Sequence, residues 1–122
     1  MTLTYTLDST QRLITILGEY AHPDEWEQLL SRVLHDPRYA PGFAFLRDLR
    51  AASAPVDATT VLGIMHVVRG FWPLLRPGRV AVLTPRTVDP AALTAAAIAD
   101  TENIPLKVFN SYQDAIEWLR GS

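Results

Sequence analysis

The sequence contains no cysteine. That excludes disulfides, thiolate nucleophiles and cysteine-ligated metals, and it agrees with an expected cytoplasmic location. Neither sign of charge is in large excess. The 11 Lys and Arg stand against 13 Asp and Glu, a formal net charge of −2. The chain therefore offers neither the basic face that nucleic acid demands nor a polybasic membrane anchor. Long hydrophobic runs are missing too. The longest apolar stretch, residues 61–75, is interrupted by His66, Arg69 and Pro73, whereas a spanning helix wants roughly 18 to 20 apolar residues. No membrane span is expected. The opening Met1-Thr2-Leu3-Thr4-Tyr5 has no positive region ahead of an apolar stretch, so no signal peptide is expected.

Catalytic signatures are absent as well. His22, His35 and His66 form no i, i+4 pair and join no acid in a ligand pattern, so neither a metal nor a cofactor is expected. There is no Gly-rich phosphate loop, no nucleophile elbow and no Ser/His/Asp order. Glu19, Asp24, Glu25 and Glu27 cluster around one helix start. They read as solvated partners of the helix dipole rather than as a paired-carboxylate site. The expectation is a protein that is not an enzyme.

What is present is a globular pattern. With 122 residues, 48% of them apolar and 20% charged, the chain suits a single domain. Leu3, Tyr5 and Leu7 alternate with Thr2, Thr4 and Thr6, a half-buried strand. The turn cluster Asp8-Ser9-Thr10-Gln11 leads to a second strand, residues 13–17, and so to a hairpin with a four-residue loop. Pro23 and the acids after it open a helix. Trp26, Leu29, Leu30, Val33 and Leu34 form its apolar face, and Asp36-Pro37 ends it. A third strand spans residues 43–49. A second helix opens near Asp57 and carries apolar residues over much of its circumference to Leu75, with Pro73 expected to bend or end it. Residues 79–84 hold a short buried strand, 91–100 an Ala-rich helix and 104–109 a fifth strand. Ser111 and Asp114 open the last helix in a capping-box-like manner, and Ala115, Ile116, Trp118 and Leu119 form its inner face. The order β-β-α-β-α-β-α-β-α predicts an α/β fold with a five-stranded mixed sheet, about four helices and right-handed crossovers.

Several of these segments resemble the SpoIIAA-like family, whose fold is shared with STAS domains and, more distantly, with CRAL-TRIO lipid-binding domains. They are the hairpin, HDPRYAPGF at residues 35–43, FLRDLR at 45–50, RVAVLTP at 79–85 and VFNSYQDAIEWL at 108–119. The resemblance implies a small bacterial, non-catalytic regulatory module. In anti-sigma antagonists of that fold, an Asp-Ser-Ser-Gly stretch opens the helix after the third strand, and its second Ser is phosphorylated by a partner kinase. Here the stretch is Asp57-Ala58-Thr59-Thr60. Thr59 keeps a hydroxyl at the phosphoacceptor position, while Ser and Gly are both replaced. The Ala-rich residues 87–99 also lack a Gly and an Arg that relatives of this shorter type carry.

Two groups of residues are candidate sites. Asp48 and Arg50, two apart on a strand, point to one side. They read either as an anion site with Arg50 as ligand or as an ion pair that orders the loop. Asp57, Thr59 and Thr60 read as a helix cap or, with Thr59 phosphorylated, as a switch. Phe71, Trp72 and Leu75 crowd the end of the second helix, whose apolar surface exceeds what one sheet face can cover. That surplus predicts a protein partner, a homodimer, or a small apolar or lipid-like ligand beside helix 57–75.

Overall fold

Residues 3–19, 22–52, 56–85 and 89–121 are described by the computed structural model. Strands β1 (Thr4–Asp8) and β2 (Leu13–Leu17) form the expected antiparallel hairpin, with Thr4 opposite Leu17 and Asp8 opposite Leu13. Its loop closes where Asp8 Oδ1 accepts the Gln11 N–H at 3.0 Å and where Arg12 takes a left-handed φ of 55°. Strands β3 (Ala44–Asp48), β4 (Val80–Leu83) and β5 (Leu106–Phe109) then join in parallel, giving the sheet order β1-β2-β3-β4-β5. The helices are α1 (Pro23–Leu34), α2 (Ala58–Leu75), α3 (Pro90–Thr101) and α4 (Tyr112–Leu119). This is the α/β order read from the sequence, in one domain.

Each crossover from β2 onward adds the neighbouring strand, and α1, α2 and α3 pack side by side, α1 on α2 and α2 on α3. Residues on alternate strand positions face opposite ways. Ile14, Ile16 and Phe45 pack beneath α1 and α2, and Val82 packs with Ala92 of α3. On the other face, Leu13, Leu46, Ala81 and Leu83 meet Ala115 and Ile116 of α4. That short helix lies mainly over β3 to β5, and Thr4 and Thr6 of β1 lie exposed.

The helix starts follow local chemistry. Pro23 sits in the first turn of α1, and Trp26, Leu29, Leu30 and Val33 are its buried face. Asp57 caps α2 by accepting the Thr60 N–H at 2.8 Å. Asp89 caps α3 through the N–H groups of Ala91 and Ala92. Ser111 Oγ accepts the Asp114 N–H at 3.3 Å.

Pro73 does not end α2. The helix runs on to Leu75 and closes at Arg76, whose φ is 45° and whose N–H bonds the Trp72 carbonyl at 2.9 Å. Proline's missing N–H falls in the last turn, where a single lost bond is tolerable. At 18 residues, α2 is long and apolar enough to cross a membrane by length and composition. Val61, Ile64, Met65 and Leu75 are its buried residues, 22% of the helix. Ser53, Ala54 and Pro55 of the expected loop, Thr87 and Val88 of the Ala-rich segment, and Thr2 of the first strand lie outside the described residues.

Candidate functional site

The end of β3 carries the first candidate group. Asp48 is half-buried and Arg50 exposed. Arg50 donates Nε and an Nη to the two oxygens of Asp48 at 3.1 and 2.9 Å, and its backbone N–H reaches Oδ1 at 3.0 Å. The guanidinium also lies 5.1 Å from the ring centre of Tyr112, at the start of α4. Hydrogen bonds from the Arg50 side chain, opposed by burial and aided by its backbone N–H, hold the Asp48 carboxyl below its usual value. The fork that could bind an anion is thus filled by Asp48, and the pair ties the loop after β3 to α4. A carboxylate made more acidic in this way is a weaker general base.

Asp57, Thr59 and Thr60 lie at the N-terminus of α2. The Thr60 N–H, then the Thr60 hydroxyl, lower the Asp57 carboxyl, as expected for a charged cap. Thr59 is exposed in the first turn. No hydrogen bond or ion pair among the described residues links this group to Asp48 and Arg50. Among those same residues, no group of three or more His, Asp or Glu is arranged to hold a metal.

The third group divides. Leu75 is core at 2% exposure, Phe71 packs against the α1 side of the core, and Trp72 packs against α3. Beneath α2 lies a cavity of about 110 Å³, walled by side chains of α1, α2, α3 and the sheet, with Ile64, Val68, Trp72, Leu75, Val82 and Ala95 among them. Its walls are almost wholly apolar. Among the described residues, Arg47 is the one charged side chain in them.

Arg47 and Trp26 were not singled out as site residues from the sequence. Arg47 is 6% exposed on the helix-covered face of β3. It donates to the Ile16 and Glu19 carbonyls at 3.4 and 3.3 Å, and its guanidinium lies 5.3 Å from the ring centre of Trp26. Trp26 was expected to be core, and it is 7% exposed. Its Nε1, however, is buried without a hydrogen-bond partner. An unpaired buried donor costs roughly 1–3 kcal/mol. The signal available in the sequence was a tryptophan on a core face, because its N–H must be satisfied somewhere.

Compared with protein-family models, curated proteins and solved structures, the chain shows no significant match.

Proposed function

We propose that this chain is a non-catalytic, STAS-like binding module that takes a small apolar molecule into the cavity beneath α2. The cavity itself carries this reading. The recess is about 110 Å³, walled almost wholly by apolar side chains and partly open to the surface, so an apolar group entering it leaves water for an apolar surface. Apolar cavities on the order of 150 Å³ are known to take up benzene. The engagement of Asp48 and Arg50 with each other supports a role without catalysis.

The test is thermal unfolding with and without toluene. A guest that binds only the folded state raises Tm by mass action. Toluene should raise Tm, and Ala95→Leu, which fills part of the cavity, should abolish the rise. If neither toluene, benzene nor cyclohexane raises Tm, the cavity is not a ligand site.

A second reading rests on the outer side of α2, where Leu62 and Leu74 are 56% and 61% exposed. It makes the chain an interaction module that self-associates or meets a protein partner through this helix. Thr59 in the first turn would then be the point of control. A phosphate there would sit at the positive end of α2.

A further inference from the structure

We propose that a second cleft, where α4 ends over the starts of β2 and β3, binds a small organic phosphate monoester between Arg12 and Arg120. It lies on the opposite face of the sheet from the cavity beneath α2, so it goes beyond the reading of that cavity and does not depend on it. Three observations carry it.

The first is shape and polarity. The cleft has a volume of about 330 Å³, comparable with small-molecule sites. Leu13, Ala44, Ile116 and Leu119, buried or half-buried, make its apolar side. The exposed Gln11, Arg12 and Arg120 make its polar side. Such walls suit a ligand with a charged head and a short apolar body.

The second is charge. Among the described residues, no Asp or Glu lines the cleft. Asp8 and Glu117, on elements beside it, are engaged elsewhere. Asp8 accepts the Gln11 backbone N–H at 3.0 Å, and Glu117 accepts the Gln113 side chain at 3.3 Å. The C-terminal end of α4 carries about half a negative charge, but Arg79 donates to the Trp118 carbonyl there at 2.6 Å. The two guanidinium charges in the walls outweigh what remains, and an anion is favoured.

The third is the availability of donors. Arg12 is held in place: one Nη donates to the Pro41 carbonyl at 2.8 Å, and the guanidinium lies 5.0 Å from the ring centre of Phe43. Gly42 makes room for it, since a Cβ there would come within 2.9 Å of the same Nη. Arg120 makes no ion pair among the described residues, and its side chain donates to none of them. A carboxylate is saturated by one guanidinium fork, whereas the three oxygens of a phosphate can accept from two. A fixed arginine and an unpaired one therefore select a phosphate ester, which is close to dianionic at neutral pH.

The experiment is isothermal titration of the chain, at constant ionic strength, with phenyl phosphate, inorganic phosphate, benzoate and phenol. Phenyl phosphate should bind. Inorganic phosphate lacks the apolar body and benzoate engages one guanidinium, so each should bind about tenfold more weakly. Phenol should not bind. Arg120→Gln and Arg12→Gln should each weaken phenyl phosphate by about tenfold or more. Arg120→Gln should leave Tm unchanged, and it decides the matter if Arg12→Gln disturbs the turn before β3. Ala95→Leu, which fills part of the cavity beneath α2, should leave phenyl phosphate binding intact; a loss there would move the ester into that cavity and overturn the cleft. Pelleting with phosphatidylcholine vesicles that contain phosphatidic acid, lost in Arg120→Gln, would place the ester on a lipid head group. Binding of phenyl phosphate without pelleting would make it a soluble ester. Undiminished binding by Arg120→Gln, or no binding of phenyl phosphate at all, overturns the site and leaves the cavity to its own toluene test. Equal affinity for benzoate overturns the choice of phosphate over carboxylate.

Discussion

Asp36 shows how one side chain can hold several segments. It accepts the Tyr5 hydroxyl from β1 at 2.8 Å, the Arg38 side chain at 3.1 and 2.9 Å, and the Arg38 backbone N–H at 3.0 Å. The side-chain bonds from Arg38 come first among the causes that press its carboxyl far below the usual range, followed by the Arg38 backbone and Tyr5. A carboxyl whose folded value is depressed adds stability that is fully present above its unfolded value, about 4. That stability is lost as pH falls from there through the folded value. Asp48 and Asp57 are shifted in the same direction. Tm should therefore hold level near neutrality and fall below about pH 4. Asp36→Asn should flatten that fall, leaving a remnant carried by Asp48 and Asp57. Tm measured against pH for both proteins checks this, and superimposable acid limbs would refute it. Of these residues the sequence disclosed the cap Asp57, because it acts on an N–H group three positions away. It did not disclose Trp26 and Arg47. Their meaning depends on what lies opposite them after α1 has folded back over β2 and β3.

Among the elements, α2 concentrates both the packing and its tolerances. Its two interior glycines are opposites. A Cβ at Gly63 would lie 2.7 Å from Cγ of Pro23 in the first turn of α1, whereas nothing stands within 4 Å of one at Gly70. Glycine costs a helix interior about 1 kcal/mol relative to alanine. Gly70→Ala should recover that amount and raise Tm by about 4 °C for a domain of this size. Gly63→Ala gains the same propensity but must push α1 away from α2, because a proline ring cannot swing aside. Its Tm should stay level or fall. Calorimetry of the two variants decides it, and equal gains would show that the α1–α2 contact is slack. Strands and helices were legible in the sequence because their periods of 2 and 3.6 are local. The extent of α2 past Pro73 was less so. Pro73 costs α2 one backbone hydrogen bond, and whether a helix survives such a loss depends on the packing and capping of the residues beyond it.

For the whole molecule, the decisive asymmetry is that three helices crowd one sheet face while the outermost side of α2 is left apolar. Leu62, His66, Gly70 and Leu74 follow one another at intervals of four and are all exposed, so they form a single ridge along the helix. Gly70 sits near the middle of that ridge with open space around it. A second α2 crossing there could approach closely, with the leucines of each copy meeting on either side. Such a contact is self-complementary, as a two-fold dimer requires. If α2 mediates self-association, light scattering after gel filtration should give about twice the monomer mass of 13.6 kDa. The pair Leu62→Lys with Leu74→Lys should return the monomer without lowering its Tm, since neither leucine is buried. Gly70→Ala should then do two opposed things: strengthen the single chain and weaken the dimer by filling the crossing point. A wild-type protein that elutes as a monomer at every concentration would remove self-association, leaving the ridge to another protein and the cavity beneath the same helix to its small guest.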